Sequence, residues 1–225
     1  MEYPLMMCES AAADGEKRAE YTRSGCRITR GEKPGGGRFY TVTPQNGANA
    51  AAVLARYIKS LAGKKPKKVL VVGLGNRGMT ADALGDRVLA HMRAGGDDPR
   101  ICLIAPQVAA VTGVESADIV AGVSAVLKPC LTVFADTLAT SRFERLGRCY
   151  QLGDFALSPG SGVGAGKTLK ARGKTLSVGV PLVIDLKYLG ARREGVVTPA
   201  NVDELVEENA RVIAAALGMA LGRSQ

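Results

Sequence analysis

The chain has 225 residues and a formal net charge of +9; 46% of its residues are hydrophobic, 4% are aromatic and none is tryptophan. That length supports one sizeable α/β domain with at most an appended arm. So few aromatic rings exclude a surface that stacks bases, so no direct nucleic-acid binding is expected, and no segment reaches the ~18 apolar residues of a membrane-spanning helix.

In chain order, residues 1–45 are rich in Gly, Arg, Glu and Ser, with Gly35, Gly36 and Gly37 at the centre. They read as an N-terminal arm packing on the domain, with at most a short hairpin between 26–28 and 39–42. Residues 46–225 form the single α/β domain. Val53, Leu54, Tyr57, Ile58 and Leu61 recur at helical spacing over 48–61. The run at 68–73 is short and apolar, the mark of a strand buried on both faces. A helix over 82–92 follows, then a strand at 101–105, a helix at 116–127, and strands at 131–135 and 150–152. A further strand spans 176–184, interrupted by Pro181. The last helix begins at Thr198 and Pro199, a cap residue followed by proline at the first helical position. Strands alternating with helices predict a three-layer α/β/α fold around a mainly parallel twisted sheet.

The positive charge gathers at Lys64, Lys65, Lys67 and Lys68, and again at Lys167, Lys170, Arg172 and Lys174. Such runs are solvated loop faces in the plain reading and steering surfaces for an acidic partner in the sharper one. Five cysteines without C-x-x-C spacing argue against a disulfide framework or a zinc knuckle. A reducing compartment fits them. The first residues lack a basic region followed by an apolar one, so no signal peptide is read and a cytoplasmic protein is expected.

Two glycine-rich segments compete for attention. Gly73-Leu74-Gly75-Asn76-Arg77-Gly78 matches G-x-G-x-x-G after a strand. A dinucleotide site also needs an acid at the end of the second strand, and that strand ends Ala105-Pro106-Gln107. The segment Gly160 to Thr168 resembles a phosphate loop, but Ser161 stands where the first glycine belongs and Pro159 breaks the strand that should feed it. No cofactor is expected at either.

A pair of acids carries more chemistry. Asp82 lies just after the first strand and Asp136 at the end of the third. In a sheet of order 2-1-3 those strands are neighbours, about 4.8 Å apart, and both carboxylates project at the carboxyl edge, at the switch point. Two acids that close do not both ionise easily. One then takes a proton from water while the other assists the carbonyl oxygen. A helix start near Thr80 favours ionised Asp82, which leaves Asp136 as the proton holder. His91, the one histidine, supplies neither a Ser-His-Asp site nor a three-ligand zinc site.

Taken in order, several segments resemble the spore germination proteases: Val72 to Asn76 with Thr80 to Gly85; Ala105-Pro106 with Thr112 to Ile119; Ala135 to Ala139 with Glu144-Arg145; Ser158 to Gly164; Gly179 to Asp185; and Val197 to Pro199 with the last helix. The resemblance runs over about 69–221. It implies aspartate-dependent endopeptidases that degrade small acid-soluble spore proteins at germination, are made as zymogens and assemble as homotetramers. It implies a fold similar to the hydrogenase maturation peptidases, in which acids at comparable positions recognise a metal. Asp82 and Asp136 are then the catalytic pair, no metal is expected, and Asn76, Glu115, Ser158, Gly160, Ser161 and Gly162 support the substrate. Asp86, the pair Arg77-Gly78, Ser158 and a short 185–196 segment depart from the family pattern. The alternatives are a non-catalytic binding paralogue of the same fold and a metal-dependent maturation peptidase.

Overall fold

The computed structural model describes residues 3–10, 18–32, 36–63, 65–94, 98–155, 169–190 and 195–222. Nine strands lie in chain order: β1 (Ala19–Arg23), β2 (Cys26–Glu32), β3 (Arg38–Pro44), β4 (Val69–Gly73), β5 (Ile101–Ile104), β6 (Leu131–Ala139), β7 (Tyr150–Gly153), β8 (Lys174–Asp185) and β9 (Val196–Val197). The helices are α1 (Met7–Ser10), α2 (Ala50–Ala62), α3 (Leu84–Ala94), α4 (Ala109–Thr112), α5 (Ser116–Leu127) and α6 (Val202–Leu221).

The sheet order is β1-β2-β3-β7-β8-β6-β4-β5, with β9 on β8. Strands β5, β4, β6 and β8 are mutually parallel. Strands β7, β3, β2 and β1 continue the sheet antiparallel. The segment read as an arm therefore contributes three strands to the same sheet, joined through β3 and β7. Its local composition is polar and glycine-rich. What makes it strand is the alternation of buried Cys26 and Ile28 on β2 and, on β3, burial on both faces, with Tyr40 and Val42 in one core and Phe39 in the other.

Successive side chains on the parallel strands alternate between two cores. Val69, Val71 and Val133 face α2, α3 and α6, where Leu54, Ile58, Leu89, Ile213 and Leu217 are buried. Leu70, Val72 and Phe134 face the other way, against Val120 of α5 and Met6 and Cys8 of the N-terminal segment. Helices on both faces make the three-layer α/β/α class that the strand–helix alternation indicates.

Several boundaries differ from the sequence reading. Strand β6 runs on past residue 135 to Ala139, so Asp136 lies within the strand and not at its end, because β8 continues to pair with it there. Pro181 does not interrupt β8: the strand pairs with β7 only as far as Gly179, so the missing N–H has no ladder partner to lose. The register with β6 also shifts beside it, between Leu138 and Ala139, which is where a sheet tolerates proline. The last helix starts at Val202, with Asn201 rather than Thr198 at its N-cap position.

Candidate active site

Strand β4 ends level with the middle of β6, Gly73 opposite Ala135. Leu74 makes one more backbone bond, its N–H to the Ala135 carbonyl at 2.9 Å. The chain then turns through a loop to a single 3-10 turn, Thr80–Asp82, before α3 begins at Leu84. Asp82 thus closes a turn ahead of the helix instead of lying inside it.

The loop folds back tightly onto Asp82. The Asn76 N–H donates to both the Asp82 carbonyl, at 3.1 Å, and its Oδ2, at 2.9 Å. Asn76 Oδ1 accepts from the Gly78 N–H at 2.9 Å. Gly75 lies between, with φ +103° and with any Cβ directed onto the Asp82 carbonyl oxygen. That left-handed geometry and close approach explain glycine here without a pyrophosphate.

Asp136 is the next residue of β6 after Ala135. It follows the strand alternation onto the face of Phe134 and Leu138, and its Oδ1 accepts the Thr137 N–H at 2.8 Å. Both Asp82 and Asp136 are 5% exposed. Burial pushes the Asp82 carboxyl up to about 6, against the lowering effect of the Asn76 N–H. Burial pushes Asp136 well above the ordinary carboxylate range, and the charge of Asp82 pushes it further, against the Thr137 N–H. The expected help of the helix start to ionised Asp82 is outweighed by desolvation. Both carboxyls are pushed the same way, so the pair resists losing both of its protons near neutral pH.

Of the other residues singled out from the sequence, Asn76 acts on Asp82 through its backbone. Glu115 is exposed at the N-terminus of α5, and no described contact joins it to either carboxylate. Ser158, Gly160, Ser161 and Gly162 lie outside the described residues. Among the described residues no three His, Cys, Asp or Glu side chains converge to hold a metal ion. The two carboxylates do not by themselves make such a set. His91 pairs with Glu207 at 2.9 Å, joining α3 to α6.

Three residues at the site had no local signal. Thr137 Oγ1 donates to the Ala81 carbonyl at 2.8 Å. Gln107 is buried, at φ +61°, and its Oε1 accepts the Arg77 N–H at 3.1 Å. Tyr3 enters beside both acids, whose charges add to burial in raising its phenol above the ordinary range. Gln107 was visible only as the residue standing where a nucleotide site needs an acid.

The two basic clusters meet at the opposite, amino edge of the sheet. Cys130 bonds the backbone of Lys68 on one side and of Lys174 on the other. Lys65, Lys67, Lys68, Lys170, Arg172 and Lys174 are exposed there. Among the described residues no helix is long and apolar enough to cross a membrane.

A family model described as germination protease matches residues 42–191. The germination protease of Caldanaerobacter subterraneus subsp. tengcongensis is 35% identical over 204 residues, covering 78% of this chain and 63% of that protein. The germination protease of Clostridium tetani is 40% identical over 134 residues, covering 52% and 41%. The chain thus spans less than two thirds of the length of these relatives. Among solved structures, the [NiFe] hydrogenase maturation protease HycI from Thermococcus kodakarensis KOD1 aligns with a TM-score of 0.49 at 18% identity, covering 72% of this chain and 98% of that one.

Proposed function

From the membership of this chain in the germination protease family, we propose that it is an endopeptidase that hydrolyses small acid-soluble spore proteins with Asp82 and Asp136 as its catalytic carboxylates. The observation that carries the reading is the buried pair itself: Asp82 in the turn after β4 and Asp136 on neighbouring β6 just beyond the end of β4, with burial pushing the first up to about 6 and the second well above the ordinary carboxylate range. Such a pair holds one proton at neutral pH, the state that water-mediated peptide hydrolysis needs.

The steps balance with that single proton. Ionised Asp82 takes a proton from water as the water oxygen bonds to the peptide carbonyl carbon, and the carbonyl π pair moves to its oxygen. When the C–N bond breaks, the pair on oxygen re-forms the carbonyl. The departing nitrogen takes its electron pair and the proton of Asp136. The products are a carboxylic acid and an amine, and the two acids again hold one proton between them, with their places exchanged. The family's homotetrameric assembly and a site of action inside the germinating spore belong to the same proposal.

The test is incubation of the purified chain with a purified small acid-soluble spore protein, followed by mass spectrometry. Discrete fragments from the wild type, absent with Asp82→Asn and with Asp136→Asn, are the expected result. Binding without cleavage would favour the non-catalytic paralogue, and full cleavage by either variant would remove that aspartate from the mechanism.

A further inference from the structure

The amino edge of the sheet carries charge that the acids at the carboxyl edge do not use. Lys65, Lys67 and Lys68 precede β4, Lys128 precedes β6, and Arg172 and Lys174 stand where β8 begins; all six are exposed. Strands β4, β6 and β8 are neighbours in the sheet, so these segments, far apart in sequence, open side by side. Their backbones are fixed to one another. The Cys130 N–H donates to the Lys68 carbonyl, and the Lys174 N–H to the Cys130 carbonyl, each at 3.0 Å. Thr132 Oγ1 donates to the Arg172 carbonyl at 3.1 Å, and the Arg172 N–H to Ser124 Oγ at 2.6 Å.

The needs of the fold do not account for this gathering of like charge. Among the described residues none of the six takes part in an ion pair. Asp98, the acid ahead of neighbouring β5, is bound by Arg100 through Nε at 3.0 Å and Nη2 at 2.6 Å. Lys128 lies at the C-cap of α5, where the helix dipole favours a cation. The other five lie on loops and a strand, where no helix end calls for them. Cations brought together without acids between them repel, which destabilises the folded state. A surface that needed only solubility would intersperse the two signs.

The surroundings select the kind of polyanion. The three segments, 65–68, 128–130 and 172–174, carry no exposed large apolar side chain, whereas the centre of a protein–protein interface is built on apolar and aromatic anchors. With 4% aromatic residues and no tryptophan, unstacked bases have no platform. That scarcity argues only against single strands, because the phosphates of a duplex need cations alone. Three strand starts about 4.8 Å apart span about 10 Å, a length over which a duplex carries about six phosphate charges.

We propose that this edge binds the sugar–phosphate backbone of a double-stranded nucleic acid, without reading its sequence. The site is independent of the peptidase reading. Asp82 and Asp136 lie at the opposite edge of the sheet, so a duplex held here leaves them uncovered, and the chain is able to act while bound.

The experiment is fluorescence anisotropy of the purified chain on a labelled duplex DNA of about 20 base pairs and arbitrary sequence, between about 50 and 200 mM salt. Wild type is expected to bind with log K falling linearly in log salt, at a slope of about −4.5 for about five phosphate contacts. The triple variant Lys68→Gln, Lys128→Gln, Lys174→Gln changes one residue in each segment. Its slope is expected to shrink to about −2, with binding at least about tenfold weaker at about 50 mM salt. Its melting temperature stays level or rises, because repulsion is relieved. A matched control, Arg23→Gln, Arg27→Gln, Arg30→Gln, removes the same charge from exposed positions on β1 and β2 and keeps the wild-type slope. Equal losses in the two variants would assign the attraction to net charge and overturn the site. A wild type that leaves the duplex unbound at about 50 mM salt would overturn it as well. So would a lowered melting temperature in the lysine variant, which would make these lysines structural. Poly-glutamate that competes as well as the duplex at equal charge concentration would overturn the choice of nucleic acid in favour of an acidic protein.

Discussion

Thr137 Oγ1 donates to the carbonyl oxygen of Ala81 at 2.8 Å. This bond ties the residue after one acid to the residue before the other, across 56 positions of sequence. Two carboxylates carried on separate elements stay in register only if something fixes the distance between those elements. Thr137 is fully buried, so the bond is shielded from competing water.

Thr137→Val keeps the shape and removes the hydroxyl, leaving the Ala81 carbonyl without that donor. The expected cost is about 1–3 kcal/mol, the penalty for stranding a buried acceptor, read as a lower urea midpoint at unchanged slope. Cleavage is expected to fall further than stability alone explains, because the 3-10 turn carrying Asp82 is released. Thr137→Ser restores the bond and recovers most of the activity. Equal rates for the Val and Ser variants would show that the bond does not position the acids.

Burial of Asp82 costs stability once its carboxyl is ionised. Its folded pKa is about 6, against an ordinary 3.8. Between those values the folded state binds more protons than the unfolded one, so this group's contribution is lost as pH rises through that window and stays lost above it. Asp82→Asn keeps an acceptor for the Asn76 N–H and removes the charge. The variant should match wild type at pH 4 and exceed it at pH 7.5 by up to about 3 kcal/mol. Denaturant unfolding at the two pH values measures this; a variant less stable at pH 7.5 would mean that the buried charge is better solvated than its burial indicates.

In the proposed mechanism the same pair sets the pH dependence of cleavage. Protonation of Asp82 removes the base, so kcat/KM should fall below about pH 6. Asp136 is held well above the ordinary range, so the alkaline limb belongs to loss of its proton. A bell-shaped profile is expected, with Asp136→Asn unable to supply the proton on either limb. An acid limb near 4 would assign the base to an exposed carboxylate instead.

How much of this site was legible beforehand depends on range. Asp82 and Asp136 stood out because each follows a short apolar run, a signal contained within a few residues. Gly75 was legible as glycine but not in its purpose: its φ of +103° and its contact with Asp82 come from the loop's return. Tyr3 and Thr137 gave no signal. The first is placed by a bridge between Leu5 and Ala139, 134 positions apart, and the second by a bond between strand and turn. The segment 26–44 read as a bare hairpin because its third partner, β7, begins more than a hundred residues later. Patterns of period two or 3.6 report which face of an element is buried; they do not report which distant strand pairs with it.

Gly75→Ala tests whether the loop is a scaffold for Asp82. A non-glycine residue at φ +103° is strained by about 1–3 kcal/mol, and its Cβ would also collide with the Asp82 carbonyl. The loop must then open, lengthening the Asn76 bonds to Asp82. The expected result is a loss of cleavage of at least about tenfold together with a lower melting temperature. Wild-type activity in this variant would show that the Asn76 contacts are dispensable.

The N-terminal segment is held at its far end by Glu9. Its carboxylate accepts from Arg145 Nη1 at 2.7 Å, from the Ser141 N–H and Oγ at 2.6 Å each, and from Thr140 Oγ1. These partners hold the Glu9 carboxyl below its ordinary value despite the opposing, and largest, effect of burial, and its side chain is only 6% exposed. Stability from this group is therefore present above the unfolded carboxylate range and lost as pH falls through it. Glu9→Gln removes the charge but not the shape, and strands Arg145 with a neutral partner. With Arg145 about a quarter exposed, the loss is expected at about 1–3 kcal/mol, less than for a fully buried pair. If residues 4–6 complete the sheet beside Asp136 as a firmly docked strand, the amide of Met6 exchanges slowly in the wild type and at least about tenfold faster in Glu9→Gln, a change of about 1.4 kcal/mol in local opening. Unchanged exchange would show that the Leu5–Ala139 pairing stands without its anchor.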